Sequence, residues 1–433
     1  MTEAPVLARL GPLRRLGELR RDPLVENSFF LILTTVLGAG SGFFFWLIVA
    51  RLYPTAEVGR ASSLLSSVAL LSYFSLFGFN SALIRYLPTS RNRAAETSTA
   101  MSTVAAGSIV VTLGYAVAGP WLAHELGFIR DSALHLGLFV LLATGAAINL
   151  ITDSIFVAAR ATRANLLING VLMSAAKLAL PALAVAYGAF GIFAASGVAS
   201  TLAAVVSILV IRRHLRIPVR AAVSWSSLRS MLSYSLSSYL SGTLNLIPQI
   251  ALPIIVLHQL GPVVAAVYFI AFQIANLVSS ASYAIGESLF AEGSHDAGNL
   301  RRIAVRSAGL MLAVTGVAVL VVIALAKPIL QLFGSDYAGT GRTALILFTT
   351  SALTVAFNTW SSFLLKVTRQ VGALIVSNVV FVLVVIGVAI VKTPDGLSWA
   401  AIAWGMGNLL SGAVAAAALL LPSARRKAKE MRS

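Results

Sequence analysis

The chain has 433 residues, of which 58% are hydrophobic and only 11% are charged. A water-soluble globular protein of this size needs far more polar surface, so the composition excludes that class and indicates a polytopic membrane protein. The sequence contains no cysteine, which excludes disulfides, thiolate metal sites and cysteine nucleophiles. The net charge of +17 would suit a nucleic-acid-binding protein, but in a membrane protein the positions of the basic residues must be considered first.

The first 26 residues are basic but lack the apolar core and the small-residue cleavage site of a secretory signal peptide. We therefore interpret residues 1–26 as a cytosolic basic tail. After this tail, residues 27–50 and 61–84 form two apolar runs without a charged residue, separated by the polar turn 51–60. Because about 20 apolar residues in a helix cross a ~30 Å hydrocarbon layer, each run predicts a membrane-spanning helix.

The same pattern recurs along the chain and predicts an all-α membrane protein with twelve spans in two pseudo-symmetric lobes of six helices each. The predicted spans are 27–50, 61–84, 99–122, 133–157, 165–187, 189–211, 231–257, 263–287, 303–326, 343–365, 371–391 and 397–421. The predicted regions are the basic tail 1–26, the N-lobe 27–211, a cytosolic linker 212–230, the C-lobe 231–421 and a basic cytosolic tail 422–433.

A weak internal repeat supports the two-lobe interpretation. An offset of 208 residues places Leu52 and Pro54 over Leu260 and Pro262, at the first turn of each predicted lobe. Both halves hold six predicted spans and begin on the same side of the membrane, as a parallel duplication requires.

The basic residues are distributed very unevenly between the two sides of the predicted bundle. Of the 32 lysines and arginines, 25 fall on the side of the N-terminus. The opposite side holds Arg51, Arg60, Arg130, Lys327, Arg342 and Lys392. The positive-inside rule then predicts a multi-pass protein of the cytoplasmic membrane with both termini in the cytosol. Its positive charge is explained by topology and by contact with anionic membrane lipids, so we do not expect a nucleic-acid partner.

Lys177 is the one unambiguous charge near the middle of a predicted span. Asn165, Asn169, Met173 and Pro181 share its helix face at intervals of four residues. A lysine exposed to lipid at the bilayer centre costs at least about 2.5 kcal/mol, so this face should look into protein or water. We expect Lys177 to attract an anionic substrate to a cavity. The alternative is a structural lysine paired with a carboxylate or with backbone carbonyls.

Amide side chains are concentrated on the two helices that open the second lobe. Asn245 and Gln249 lie on predicted span seven, and Gln273 and Asn276 lie on span eight. We expect these amides to line a cavity and bind substrate hydroxyl groups. The alternative is that they only hold neighbouring helices together.

Three further charged residues lie at the inner ends of spans. Asp153 and Glu287 could titrate in proton coupling if they are desolvated, although Asp153 could instead form an interfacial salt bridge with Arg160 or Arg163. Arg85 ends span two, where it could anchor the helix at the membrane surface or hold a phosphate at the cytosolic mouth.

Motifs of catalysis are absent from the sequence. The five histidines are scattered without metal-ligand spacing, and there is neither a Walker sequence nor a nucleophile elbow. We therefore expect a protein that is not an enzyme and uses no cofactor or metal.

Two segments carry a resemblance to a known family: residues 48–61 (IVARLYPTAEVGRA) and residues 78–88 (GFNSALIRYLP). They resemble the opening of bacterial polysaccharide flippases of the multidrug, oligosaccharidyl-lipid and polysaccharide exporter superfamily. The run Leu260-Gly261-Pro262 is similar to the same place in the family's second half.

The resemblance implies a V-shaped carrier that moves undecaprenyl-diphosphate-linked oligosaccharide from the inner to the outer leaflet, driven by an ion gradient or the membrane potential. It also implies that polysaccharide polymerases and glycosyltransferases are possible partners. The family's cavity is often rich in cationic residues, whereas here only Lys177 lies deep, with Arg85 at the rim.

Two other functions remain open from the sequence. A drug or cation antiporter of the same superfamily would need a buried acid in its cavity, and the first span has none. A membrane glycosyltransferase or polymerase of the same pathway would usually need a large outer loop with catalytic residues, and no such loop is present.

Overall fold

A computed structural model of the protein describes residues 23–122, 124–295 and 297–420. The predicted tails 1–26 and 422–433 lie almost entirely outside these residues, except that 23–26 begin the first helix. Throughout the described residues the secondary structure is helical and no strand is formed. The predicted all-α class is confirmed.

Fourteen α-helices are distinguished in the described part of the chain. They are α1 (Pro23–Leu52), α2 (Thr55–Ser75), α3 (Phe79–Tyr86), α4 (Arg93–Leu122), α5 (Ala133–Ala158), α6 (Thr162–Asn165), α7 (Met173–Leu183), α8 (Gly188–Arg213), α9 (Trp225–His295), α10 (Leu300–Ala324), α11 (Ala326–Phe333), α12 (Ser335–Val367), α13 (Val371–Lys392) and α14 (Ser398–Leu420). A π-helical segment, Leu166–Leu172, joins α6 to α7, and short 3₁₀ turns lie at His124–Arg130, Val185–Tyr187, Ala297–Asn299 and Thr393–Asp395.

The long helix α9 is two membrane crossings rather than one. Its apolar part, Leu244–Ser294, has 51 residues. A straight helix of that length would measure about 76 Å, more than twice the hydrocarbon thickness. The backbone leaves helical geometry at Gly261, where φ is 79° and ψ is 175°. We call the parts before and after Gly261 the first and second arms of α9.

Ten helices in the described residues are long and apolar enough to cross a membrane, or eleven if the bent pair α2–α3 counts as one further span. Division of α9 at Gly261 brings this number to the twelve crossings that the sequence predicts. Alternate crossings end at the same side of the bundle. We call the side of the α1–α2 turn the hairpin end, and the side of the segment between α8 and α9 the linker end.

The second predicted span, 61–84, is not one straight helix. It bends by 49° between α2 and α3. Phe77 and Gly78 have φ values of 46° and 76°, and two successive residues in the left-handed region stop a right-handed helix. The amide of Phe79 donates to the carbonyl of Leu76 at 2.8 Å, so the break keeps a backbone hydrogen bond inside the bundle.

Three other boundaries differ from the expected ones. The polar turn predicted at 51–60 is much shorter, because α2 begins at Thr55 directly after Pro54. The ninth span is followed by a separate short helix, α11, which the sequence reading does not distinguish. The linker is also shorter than predicted, because α8 extends to Arg213 and α9 begins at Trp225.

The linker is packed on the first turns of α4. The amide of Arg220 donates to Ser98 Oγ at 3.0 Å, and the amide of Ser224 donates to Thr99 Oγ1 at 2.9 Å. The linker therefore lies against the linker end of the first six crossings.

The two halves meet closely at the hairpin end. Gly59 of α2 lies so close to the second arm of α9 that a Cβ atom would overlap the carbonyl of Pro262. One turn further along α2, Ser63 Oγ donates to the carbonyl of Pro253 at 3.0 Å. The rings of Trp46 and Phe269 pack with centroids 4.4 Å apart. Glycine at position 59 is what permits this approach.

We predict that Gly59→Ala destabilises the fold by about 1–3 kcal/mol, because the added methyl group must displace backbone. The measurement is the thermal unfolding midpoint in detergent. The control is Gly387→Ala in α13, where a Cβ has open space and the midpoint should stay unchanged or rise slightly. Equal midpoints for the two variants would contradict the close approach.

Candidate functional site

Arg51 connects the two halves at the hairpin end. It lies in the last turn of α1, and its guanidinium donates to the carbonyls of Leu332 at 2.6 Å and Gln331 at 2.9 Å. Both carbonyls belong to the C-terminal turn of α11, where helix carbonyls lack partners within the helix and carry partial negative charge. The arginine therefore binds the first half of the chain to the second by charge-assisted hydrogen bonds.

Two neighbouring contacts extend this connection. Thr55 Oγ1 donates to Asp336 Oδ2 at 2.9 Å, and the rings of Phe43 and Phe333 meet edge to face at 5.6 Å. We call these contacts, together with those of Arg51, Gly59 and Ser63, the hairpin-end seal. The seal joins the two halves of the chain at the hairpin end.

A charged network fixes the hairpin end of the first half. The guanidinium of Arg60 donates to Glu57 at 2.6 Å and to Glu125 at 2.7 Å. Glu57 also accepts the amide of Ala189 at 2.6 Å, at the first turn of α8. Gly188 has φ of +52°, and a Cβ there would lie 2.7 Å from the Glu57 carboxylate. Glycine at 188 thus leaves room for the carboxylate that caps α8.

The burial of the second arm of α9 decreases from the hairpin end toward the linker end. Every residue from Ala265 to Phe272 is buried, whereas Gln273, Leu277 and Ser280 are exposed. The arm is therefore buried on all sides near the hairpin-end seal, whereas one of its sides is exposed toward the linker end.

The four amides expected to bind substrate all lie on α9. Asn245 and Gln249 are on the first arm, exposed and half-buried respectively, and Gln273 and Asn276 are exposed and half-buried on the second arm. They share the region of α9 between the seal and the linker end. Among the described contacts, none connects these amides to Lys177.

Lys177 lies half-buried on α7, six residues before its end at Leu183. One turn further, the carbonyl of Pro181 accepts a 2.7 Å hydrogen bond from the hydroxyl of Tyr53, which lies in the α1–α2 turn. The lysine is therefore closer to the hairpin end than to the linker end. In the described part of the chain, no carboxylate forms an ion pair with it.

The polar face that the sequence predicts around Lys177 passes through the π-helical segment Leu166–Leu172. The wider i→i+5 turn keeps side chains four or five residues apart nearly in line. Asn165, Asn169 and Pro181 are buried along this face.

The ion pair expected between Asp153 and Arg160 or Arg163 is not formed. Asp153 instead accepts a short hydrogen bond from Asn165 Nδ2, and Asn165 Oδ1 accepts from Asn169 Nδ2 at 2.6 Å. The chain turns at Arg160, with φ of 54°, and this turn brings Asn165 beside Asp153 while both arginines remain exposed.

Two amide oxygens near Asp153 accept no hydrogen bond in the described structure. They are Oδ1 of Asn149, one turn earlier on α5, and Oδ1 of Asn169. Together with the Asp153 carboxylate they form a group of oxygen acceptors between α5 and the α6–α7 segment. A role of Asp153 in proton coupling stays a prediction.

The other two sequence candidates lie at the linker end. Arg85 is exposed at the end of α3, with its guanidinium 5.6 Å from the centre of the Tyr86 ring. Glu287 is exposed on the second arm of α9 and interacts electrostatically with Lys366 of α12. Neither residue lies deep between the halves.

Sequence reasoning missed the contacts that Arg51, Glu57 and Arg60 make. It interpreted these residues as a polar turn, because charged residues between two apolar runs usually lie in water. A signal was present in the small number of basic residues on that side of the bundle, of which Arg51 and Arg60 are two.

Comparison with known proteins gives a family and a fold. A family model described as polysaccharide biosynthesis protein matches residues 24–290. No curated protein matches the chain.

Several solved structures match over nearly the whole chain. An inward-facing multidrug resistance MATE family transporter of the MOP superfamily is 18% identical, with a TM-score of 0.64, over 93% of this chain and 98% of that chain. An outward-facing structure of such a transporter is 16% identical, with a TM-score of 0.62, over 95% and 96%. A MOP superfamily transporter from Pyrococcus furiosus, described as having a binding pocket of reversed polarity, is 16% identical, with a TM-score of 0.56, over 95% and 96%.

We predict that Asn165→Leu destabilises the protein by about 1–3 kcal/mol, because it leaves the Asp153 carboxylate without its donor. The matched control is Arg163→Gln, which removes one of the two arginines that the sequence offered as partners and should change stability by less than about 0.5 kcal/mol. The measurement is the thermal unfolding midpoint of each variant in detergent. A larger loss of stability in the Arg163 variant than in the Asn165 variant would contradict this account and favour an ion pair with Asp153.

Proposed function

The chain belongs to the polysaccharide biosynthesis protein family, and from that membership we propose that it is a flippase for lipid-linked oligosaccharide or polysaccharide repeat units. It is a multi-pass membrane protein with the fold of MATE transporters. The proposed substrate is an undecaprenyl-diphosphate-linked saccharide, which crosses the cytoplasmic membrane by alternating access.

The observation that carries the proposal is the asymmetry of the contact between the two halves. Arg51, Gly59 and Ser63 hold the hairpin end closed, while the linker-end part of α9 exposes polar side chains such as Gln273. A large polar headgroup cannot pass through hydrocarbon, so it needs a space that opens to one side at a time. With the linker end in the cytosol, as the basic residues predict, this structure is ready to receive substrate from inside.

We assign substrate roles by chemistry. The amine of Lys177 has no ion-pair partner in the described residues and suits a diphosphate, and Arg85 at the linker end suits first contact with the same group. The amides of Gln273 and Asn276, with those of the first arm of α9, suit sugar hydroxyls.

A drug or cation antiporter is the second candidate. Solved structures with the same fold are described as multidrug transporters. The Asp153 carboxylate, together with the amide oxygens of Asn149 and Asn169 that accept no hydrogen bond, offers a site for a coupling ion. Asp153 fits either function, because a flippase also needs a driving force. The two functions differ in the transported molecule.

The test of function is transfer of a fluorescent lipid-diphosphate oligosaccharide across proteoliposomes, with and without an imposed proton gradient or potential. We predict protein-dependent transfer that Lys177→Ala slows about tenfold, the loss of one charge-assisted phosphate contact. The control Lys327→Ala, an exposed lysine on α11, should leave the rate unchanged. Absence of transfer with gradient-driven efflux of a cationic dye would establish the antiporter instead.

We also predict that Arg51→Gln opens the hairpin-end seal, because it removes both charge-assisted bonds to α11. A single cysteine placed at the buried Val58, in the first turn of α2, reports the change, since the chain has no other cysteine. Its labelling by a water-soluble maleimide should rise about tenfold. Arg130→Gln, which neutralises an exposed arginine at the same end, is the control. Unchanged labelling in the Arg51 variant would contradict the seal.

A further inference from the structure

A groove at the linker end is lined by three arginines. It has a volume of about 620 Å³ and is bordered by Gly298, Asn299, Arg301, Arg302, Val305 and Arg306. We call it the arginine groove. It lies at the beginning of α10, which packs against α9 and α12.

The groove is strongly positive. Arg301, Arg302 and Arg306 are all exposed, and no carboxylate is among the lining residues that the structure describes. Within the described residues none of the three forms an ion pair. Three guanidinium groups around one opening present many donors in the geometry that phosphate oxygens accept.

The helix itself adds to the positive potential. α10 begins at Leu300, and the Asn299 side chain does not cap its first turn. The positive end of the dipole of this 25-residue helix therefore lies beside the groove.

An exposed apolar face continues from the groove along α10. Val305 and Leu312 are 67% and 65% exposed, and a Cβ atom at Gly309 or Gly316 would have open space around it. The opposite face, which includes Met311, is buried in the bundle. The same helix thus offers arginines at the membrane surface and a shallow apolar track directly below them.

We propose that the arginine groove binds the headgroup of an anionic phospholipid, with its acyl chains along the exposed face of α10. A phosphate diester attached to two apolar chains matches both parts of the surface, whereas a soluble anion would match only the arginines. This site is separate from the residues proposed to handle the transported substrate.

The test is retention of phosphatidylglycerol by the purified full chain, measured by native mass spectrometry in competition with phosphatidylcholine. The wild type should retain phosphatidylglycerol preferentially. The triple variant Arg301→Gln, Arg302→Gln and Arg306→Gln should lose that preference about tenfold. The matched control replaces Arg212, Arg213 and Arg216 with glutamine. These residues are exposed at the same end but outside the groove, so the preference for phosphatidylglycerol should fall by less than about threefold.

Other results would overturn the proposal. Equal losses in the two triple variants would mean that general surface charge attracts the lipid. Displacement of phosphatidylglycerol from the wild type by millimolar inorganic phosphate would mean that the groove is a plain anion site. Wild type without preference for phosphatidylglycerol would exclude the site without any variant. A triple lysine variant keeps the charge but not the guanidinium geometry, so its preference should lie between those of the wild type and the triple glutamine variant.

Discussion

The close approach of Gly59 to the carbonyl of Pro262 is the contact on which the arrangement of the two halves depends. It lets α2 lie against α9 without an intervening side chain, so Ser63 reaches Pro253 and Arg51 reaches the end of α11. Backbone packing of this kind is how helices associate in lipid, where burial of apolar side chains gives little driving force. The hydrogen bonds and ring contacts of the hairpin-end seal all depend on this approach of the two backbones.

Polar groups inside the bundle must also find partners within the protein. Most are paired locally, as Asp153 is with Asn165, because hydrocarbon offers no water to satisfy them. Some polar groups in the described structure lack such a partner, among them three in the first half. Lys177 has no ion pair among the described residues, and the amide oxygens of Asn149 and Asn169 accept no hydrogen bond there. Such groups are costly unless a ligand or an ion uses them.

The sequence predicts the crossings well because each is a physical length of apolar chain, and the alternation of basic loops checks their number. It does not predict the break at Phe77 and Gly78, since hydropathy contains no information on backbone φ. The partner of Arg51 lies 281 residues away, which no local pattern can reveal. The sequence offered Arg160 and Arg163 as partners of Asp153, but the turn at Arg160 brings Asn165 beside it instead. The four amides lie on α9, which contains the predicted spans seven and eight, and their role in substrate binding stays a prediction.

The central claim is that the two ends of the bundle open alternately. Spin labels at Asp131 and Ser335 report the separation across the hairpin end, and labels at Arg91 and Arg369 report the linker end; all four positions are exposed. The distances between the labels should be measured by electron paramagnetic resonance in proteoliposomes, with and without lipid-diphosphate oligosaccharide and an imposed gradient. The account predicts that the two distances change in opposite directions. Distances that stay fixed, or that increase together, would contradict it.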